Sequence, residues 1–251
     1  MTAIAPAATR PAVPPLTRAL RVTRLTLVNR ATVYWVPAIC MLGILALNVA
    51  IWAIILASVP GGSLEGTYTG ASFWIFVFLF VVAVQVMTAT FPLALAFSTT
   101  RRDFVTGTAL SNVYLSAVYA VAYGILAALE DATNGWWVGG HVLTSPYWGD
   151  GPWERLLVVF FGFLFCAFVG NLSGAVFMRW KAIGLYLAGG ALLVALGATA
   201  ALIGWADAWG SVFGAMNAAG PLGVAAWLLV PAAASAVGTW AVLRGATPKA
   251  G

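Results

Sequence analysis

Residues 156–204 read LLVVFFGFLFCAFVGNLSGAVFMRWKAIGLYLAGGALLVALGATAALIG, and Arg179 and Lys181 are the only charged residues among them. An α-helix needs about 20 mostly apolar residues to cross the hydrocarbon core of a bilayer. The stretch is long enough for two such helices, and its two charges fall together near the middle. It predicts membrane-spanning helices over 156–178 and 182–204, joined by the tight turn MRWK at 178–181.

The composition of the whole chain agrees with this interpretation. Of the 251 residues, 62% are hydrophobic and 8% are charged, whereas a soluble domain has roughly 45–50% apolar and about 25% charged residues. A soluble globular protein is therefore excluded, and so is a disordered chain, which would be poor in hydrophobic residues. Four more apolar runs have spanning length, and none alternates as the strands of a membrane barrel do. These runs are 33–59, 71–97, 108–129 and 222–243.

The sequence thus predicts an all-α membrane protein with six transmembrane helices. We expect a mobile N-terminal tail over 1–15, an amphipathic interface helix over 16–31, one transmembrane domain over 32–244, and a C-terminal tail over 245–251. The net charge of +5 does not indicate nucleic-acid binding, because the basic residues punctuate apolar runs instead of clustering on a water-exposed face.

The charged residues divide unequally between the two sides of the predicted bundle. The side that carries the N-terminus has eleven basic residues, and the opposite side has one, Arg155. Basic residues in short loops favour the cytoplasmic side, so both termini are predicted to be cytoplasmic. The inner basic residues are Arg10, Arg18, Arg21, Arg24, Arg30, Arg101, Arg102, Arg179, Lys181, Arg244 and Lys249, and the outer acidic residues are Glu65, Glu130, Asp131, Asp150, Glu154 and Asp207.

The segment 16–31 (LTRALRVTRLTLVNRA) has the pattern of a basic amphipathic helix. At 100° per residue, Leu16, Leu20 and Leu27 share one face and Arg18, Arg21 and Arg24 lie off it, while Val22 and Leu25 interrupt the polar side. Such a helix lies on the inner leaflet. The alternative is a plain basic flank of the first span, without a partner.

The first inner loop, FSTTRRDFVTGT at 97–108, carries a helix-capping pattern. Thr100 and Asp103 have the spacing of an N-cap, and Asp103 would lie near the positive helix end. The pattern predicts a short helix from Arg101 and a turn at Gly107 before the third span. The two arginines are explained equally well by docking onto a soluble partner and by membrane topology alone.

Neutral polar residues occur at depth in the spans, whereas charged residues do not. They either hydrogen-bond between helices or line a hydrophilic path. Gly170 and Gly174 form a GxxxG pair that would allow close helix packing, and prolines at 37, 92 and 231 are expected to kink their helices. The polar residues that are candidates for interhelical hydrogen bonding or for lining a path are Asn48, Gln85, Asn112 and Asn171.

The long outer loop, 130–155, contains four tryptophans and His141, which is the only histidine. Tryptophan side chains favour the membrane interface, so interfacial anchoring is the first interpretation and a substrate-stacking cage the second. No metal-ligand spacing is present, and a membrane enzyme built on Glu130, Asp131 and His141 is a minor alternative. The semi-apolar segment 205–220 is too short to span and suits either a re-entrant hairpin on the outer side or an ordinary loop.

No GxxxxGK[ST] phosphate loop occurs in the sequence, so nucleotide hydrolysis by that route would need another chain. The six spans, the basic N-terminal helix, the inner stretch FPLALAFSTTRRDFVTGT (91–108) and the segment 205–220 resemble the permease subunit of ABC-2 type exporters, especially those of actinobacteria. We therefore expect a multi-pass protein of the bacterial cytoplasmic membrane.

That resemblance implies a mechanism and a set of partners. A separate ATP-binding subunit would hold ATP and Mg²⁺, a second permease subunit would complete a homo- or heterodimer, and a hydrophobic or amphipathic substrate would move outward. Arg101, Arg102, Asp103 and Phe104 would carry the coupling contact. A secondary transporter or channel without an ATPase, and a structural or sensory membrane subunit, remain open alternatives.

Overall fold

The computed structural model describes residues 14–59, 64, 67–97 and 99–245. Most of the expected tails, 1–15 and 245–251, lies outside these residues. The helices are α1 (Pro15–Thr26), α2 (Val36–Ser58), α3 (Trp74–Gln85), α4 (Phe91–Ala96), α5 (Arg101–Ala132), α6 (Pro152–Trp205), α7 (Trp209–Trp227) and α8 (Leu229–Arg244). Two short strands, β1 (Thr67–Tyr68) and β2 (Gly140–His141), pair in parallel.

Five helical segments within the described residues are long and apolar enough to cross a membrane. The chain is therefore an all-α, multi-pass membrane protein, as its composition predicts. A short π-helical turn at Ala31–Trp35 begins the first of these segments, and another at Val86–Thr90 joins α3 to α4 in the second. The segments are Ala31–Ser58, Gly70–Ala96, Arg101–Ala132, Pro152–Trp205 and Trp209–Arg244.

The longest segment is interrupted near its middle. As one straight helix, the 54 residues of α6 would extend about 81 Å at 1.5 Å per residue, far beyond the roughly 30 Å hydrocarbon core. Lys181, with φ 58° and ψ −154°, breaks the helical backbone. The break falls inside the MRWK stretch, where the sequence predicts the turn between two spans.

A second break divides the last segment. Gly220 has φ 66° and ψ 178° and is followed by Pro221 inside α7. A positive φ suits glycine because it lacks a Cβ. The break coincides with the predicted boundary between the segment 205–220 and the final apolar run.

Charged residues gather at the two ends of α5. At one end, Arg101 donates hydrogen bonds to the carbonyls of Leu243 and Arg244 at 2.9 and 2.6 Å, and Arg179 donates to the carbonyl of Val242 at 3.2 Å. We call this the basic end. Glu130, Asp131 and Arg155 lie at the other, which we call the acidic end.

Glycines allow α3 and α6 to approach closely in the core. A Cβ at Gly170 would lie 2.5 Å from the carbonyl oxygen of Phe80, and one at Gly174 would lie 2.6 Å from the Cβ of Met87. Both distances are too short for any side chain. The GxxxG interpretation is confirmed, as packing within one chain.

Proline placement explains one buried hydrogen bond. Pro37 lacks the N–H that an α-helix would direct to the carbonyl of Val33. In a spanning segment no water is present to bond this carbonyl, so it needs a donor from the protein. The hydroxyl of Tyr119, on α5, donates to the Val33 carbonyl. This bond also ties the first spanning segment to α5.

We predict that Tyr119→Phe destabilises the protein by about 1–3 kcal/mol, because a buried carbonyl then loses its donor. Thermal unfolding in detergent micelles measures the effect. Tyr186→Phe is the matched control, because Tyr186 is exposed and makes no hydrogen bond among the described residues. Equal midpoints for Tyr119→Phe and the wild type would show that the bond contributes nothing.

Candidate functional site

The first turn of α5 is capped as the sequence predicts. The Thr100 hydroxyl accepts from the backbone N–H of Asp103 at 3.1 Å and donates to its carboxylate at 2.7 Å. The predicted turn at Gly107 is wrong, however, because α5 runs unbroken from Arg101 to Ala132. A glycine costs a helix interior only about 1 kcal/mol relative to alanine.

Gly107 instead forms the point on α5 where α1 packs closely, which we call the Gly107 seat. A Cβ at this position would lie 2.5 Å from the Cβ of Val22 and 2.6 Å from the carbonyl oxygen of Ala19. Thr23 donates to the Gly107 carbonyl at 3.0 Å, and the hydroxyls of Thr26 and Ser111 lie 2.6 Å apart. The helix α1 is thus held on α5 by close backbone approach and by two side-chain hydrogen bonds.

The helix α1 presents two apolar faces instead of one. Ala19, Val22 and Thr26 are buried against the protein, while Leu16 and Leu20 are exposed. Val22, which interrupts the polar side in the sequence pattern, is the residue that contacts Gly107. The helix also ends at Thr26, earlier than the predicted boundary at residue 31.

The four predicted coupling residues occupy different environments. Phe104 is fully buried and packs edge-on against Phe91, with ring centroids 5.0 Å apart. Asp103 is buried and lies 3.5 Å from Arg18. Arg101 holds the end of α8, whereas the side chain of Arg102 is exposed. Of the four, only Arg102 is exposed, whereas Arg101 is half-buried and Asp103 and Phe104 are buried.

A cleft of about 340 Å³ lies between α1 and the start of α5. Arg18 and Arg21 edge it on one side and Phe97 and Thr99 on the other. Arg21 and Arg24 are exposed, so the predicted basic face of α1 points away from the protein. We call α1, the first turns of α5 and this cleft the basic platform.

At the acidic end, α5 finishes at a buried carboxylate. Glu130 is fully buried and accepts hydrogen bonds from the backbone N–H groups of Val142, Leu143 and Thr144 at 2.9–3.2 Å. The Thr144 hydroxyl and the Trp136 indole donate to it at 2.6 and 2.7 Å. Successive N–H groups around an anion form a nest, and we call this arrangement the Glu130 clasp.

The clasp holds a loop that has an unusual backbone. Asn134, Gly135, Trp136 and Trp137 all have φ between 49° and 71°, a region of backbone conformation that residues other than glycine seldom adopt. The bond from Trp136 to Glu130 and the short β1–β2 pairing fix this loop. The strain of the turn is thus offset by contacts with the end of α5.

The four tryptophans of this loop divide into two pairs. Trp148 is buried and stacks on Phe76 with ring centroids 5.3 Å apart, and Trp136 is half-buried in the clasp. Trp137 and Trp153 are 83% and 78% exposed. Interfacial anchoring is therefore available to Trp137 and Trp153, while the other two stabilise the loop.

Glu130 and His141 belong to the hydrogen-bond network that holds the loop of the acidic end. His141 Nδ1 lies 2.8 Å from the Thr144 hydroxyl and 3.8 Å from Glu130, and Asp131 pairs separately with Arg155 at 2.9 Å. Both carboxylate oxygens of Glu130 are occupied by donors of the same loop. Among the described residues, no group of three or more His, Cys, Asp or Glu side chains could hold a metal ion.

The four candidate polar residues of the spans differ in burial and in hydrogen bonding. Asn48 donates to the carbonyl of Ile44 in its own helix at 2.9 Å, and Gln85 is exposed on α3. Asn112 and Asn171 are buried, and each has a side-chain atom without a hydrogen-bond partner among the described residues. Only these two lie in the interior of the bundle.

Sequence reasoning missed the Gly107 seat and the Glu130 clasp. The seat had a signal, because Val22 and Leu25 are apolar residues on a face that would otherwise be polar. The clasp had none, since a glutamate at a helix end is ordinary and most of its partners are backbone groups. No family model, curated protein or solved structure matches the chain.

We predict that Gly107→Ala loosens α1. Its methyl group would overlap Val22 and the Ala19 carbonyl, and overpacking costs about 1–3 kcal/mol. Limited trypsin digestion should then cleave α1 after Arg21 or Arg24 about tenfold faster, in keeping with about 1.4 kcal/mol. Gly124→Ala is the control, because its nearest neighbour would be Leu156 at 3.8 Å. Equal cleavage rates in both variants would contradict the seat.

We predict that Glu130→Gln destabilises the acidic end by about 2–3 kcal/mol, because hydrogen bonds to a charged acceptor are lost and an amide N–H₂ then faces N–H donors. Thermal unfolding and proteolysis of the loop 134–148 measure the effect. Glu154→Gln makes the same chemical change at a half-buried residue that forms no hydrogen bond among the described residues. A Glu130→Gln protein as stable as Glu154→Gln would refute the clasp.

Proposed function

We propose that this chain is the membrane-spanning permease subunit of an ATP-driven exporter of ABC-2 type, working with a separate ATP-binding subunit. The observation that carries the proposal is α5, an unbroken helix of 32 residues, or about 48 Å. It joins the basic platform at one end to the Glu130 clasp at the other. A force applied to the platform would reach the opposite side of the membrane along one rigid element.

The proposed topology has six crossings and two cytoplasmic termini. The break at Lys181 supports two crossings within α6, since each part then has spanning length. The gathering of Arg101, Arg179 and Arg244 at one end supports a cytoplasmic basic end by the positive-inside rule. The helical segment 209–219, ended by Gly220 and Pro221, suits a re-entrant hairpin on the outer side.

The basic platform suits a docking role for three physical reasons. It carries exposed arginines on α1 and at Arg102, and it has a cleft between its two helices. It is also held rigidly to a spanning helix through Gly107. Because the sequence lacks a phosphate loop, a partner is the proposed source of ATP hydrolysis, with Mg²⁺ bound there.

The proposal extends to the assembly and the substrate. Two permease subunits and two ATP-binding subunits would form the transporter in a bacterial cytoplasmic membrane. The buried charges, Asp103, Glu130 and Arg155, lie near the ends of the spans and not at their centres, which favours a hydrophobic or amphipathic substrate over an ion. Nucleotide must favour one conformation of the permease over another, because otherwise no coupling exists.

The decisive experiment is affinity isolation of the tagged chain from native membranes. We expect a co-purifying chain that carries a GxxxxGK[ST] motif and gives vanadate-sensitive ATP hydrolysis. Arg102→Glu should lower that co-purifying activity about tenfold, because a reversed charge at an interface opposes docking. Arg102→Glu tests docking more directly than Phe104→Ala, because Phe104→Ala would open a core cavity that destabilises the fold by about 3–5 kcal/mol.

The control reverses a charge at the other end of the molecule. Asp150→Arg alters an exposed residue of the acidic end and should leave co-purification unchanged. Absence of any phosphate-loop partner, or equal activity for Arg102→Glu and the wild type, would contradict the proposal.

One observation favours a second candidate, an ATP-independent transporter or channel. Thr108, Asn112 and Ser116 recur every four residues on one face of α5, are buried, and have side-chain atoms without partners among the described residues. Buried polar atoms of this kind need water or a ligand. Glycerol flux into liposomes containing the chain alone, abolished by Asn112→Leu, would favour this function over the exporter.

A further inference from the structure

The structure has a lateral apolar groove that the proposed function does not use. It has a volume of about 390 Å³ and runs between the first spanning segment and α5. Tyr34, Ala38 and Leu42 line one wall, Val118 and Leu126 the other, and Ile75 lies on α3. The groove extends over nine residues of each helix, from 34 to 42 and from 118 to 126, or about 12 Å.

The groove opens sideways, toward the region that the bilayer occupies. Ala38 and Leu42 are exposed along one lip, and Ala122 and Ile125 along the other. In a spanning segment such an opening faces lipid chains and not water. The shape and depth suit an acyl chain lying parallel to the helices.

Polar and basic groups mark one end of the groove. The hydroxyls of Tyr34 and Tyr114 lie 3.2 Å apart, and Arg30 is four residues before Tyr34 in helical backbone. Arg30 therefore lies about one helical turn before Tyr34, at this end of the groove. Arg30 is exposed and takes part in none of the ion pairs formed among the described residues.

The level of this end within the membrane is marked by a tryptophan. Trp35, adjacent to Tyr34, is 67% exposed, and exposed tryptophans favour the headgroup level. Arg30 and the two tyrosine hydroxyls therefore lie near headgroups, and the apolar walls extend from them into the hydrocarbon. This order of groups, cation then hydroxyls then apolar walls, is complementary to an anionic lipid.

We propose that the groove binds an anionic phospholipid from the leaflet at the basic end. Its phosphate contacts Arg30, its polar glycerol region meets the Tyr34 and Tyr114 hydroxyls, and one acyl chain fills the groove. Binding of this lipid would stabilise the first spanning segment against α5. The inference requires only that the chain spans a membrane, and it holds whether or not an ATP-binding partner exists.

The test compares two lipids that share acyl chains and differ in headgroup charge. The protein is reconstituted in vesicles of equal palmitoyl-oleoyl phosphatidylglycerol and palmitoyl-oleoyl phosphatidylcholine, extracted with mild detergent, and examined by native mass spectrometry. We expect the wild type to retain the phosphatidylglycerol about fivefold over the phosphatidylcholine, in keeping with about 1 kcal/mol for one arginine. Equal retention of both lipids by the wild type would overturn the proposal.

Two matched pairs of variants separate the groove from general lipid contact. Ala38→Trp fills the groove and should abolish retention of both lipids, whereas Ile39→Trp, at the next exposed residue outside it, should not. Arg30→Gln should reduce the headgroup preference to about parity, whereas Arg24→Gln at the same end should preserve it. If both variants of either pair lost lipid retention or headgroup preference equally, the retained lipid would be bound to the general protein surface, and the proposed site would be refuted.

The arginine pair keeps the test decisive if Ala38→Trp fails to fold, because Arg30 is exposed. Inorganic phosphate in excess separates a lipid from a free anion. It should not displace the retained phosphatidylglycerol, because the acyl chain contributes to binding. Displacement of the lipid by phosphate would refute a groove-bound chain.

Discussion

Every backbone polar group of this chain that lies in hydrocarbon must find a partner inside the protein. Where Pro37 removes a donor, the Tyr119 hydroxyl donates to the carbonyl of Val33 instead. Where the chain leaves α5 and turns back, a buried carboxylate collects three successive N–H groups. Both contacts lie where the regular hydrogen bonding of a helix is interrupted.

The same constraint gives α5 its central place in the molecule. Its first turns hold α1 and the end of α8, and its last turn holds the long loop of the acidic end. Between these ends the helix is continuous, so neither end can move along the membrane normal without the other. A permease that receives energy at one face and opens a path at the other needs such an element, and this is the physical basis of the proposed function.

Much of the architecture could be predicted from the sequence, because it depends on composition and on local signals. Apolar runs predicted the helical segments, although six spans were predicted and five segments of spanning length are found among the described residues. The MRWK stretch predicted the break near Lys181, and Thr100 with Asp103 predicted the start of α5. The predictions failed where a tertiary contact decided the outcome. Gly107 was interpreted as a turn because its only visible property was the missing side chain, whereas the structure uses that absence to seat α1.

Side-chain environments were the least predictable part of the candidate site. Asp103 and Phe104 share a short basic stretch with Arg102, yet only the arginine is exposed, because the other two pack against α1 and α4. Glu130 could not be recognised from its neighbours, since most of its hydrogen bonds come from backbone N–H groups of a loop more than ten residues away. Burial within a bundle depends on helix rotation, and the hydrophobic pattern of a spanning helix specifies that rotation only weakly.

The central claim is that α1 and α5 move as one body between the two sides of the membrane. Electron paramagnetic resonance distances test it most directly, with Cys40 and Cys166 replaced and paired spin labels introduced at exposed residues in the complex with the proposed ATP-binding partner. We expect nucleotide to leave the distance from Leu20 to Val121 unchanged and to shift the distance from Val121 to Leu193. A change between Leu20 and Val121, with Val121 to Leu193 unaltered, would contradict it.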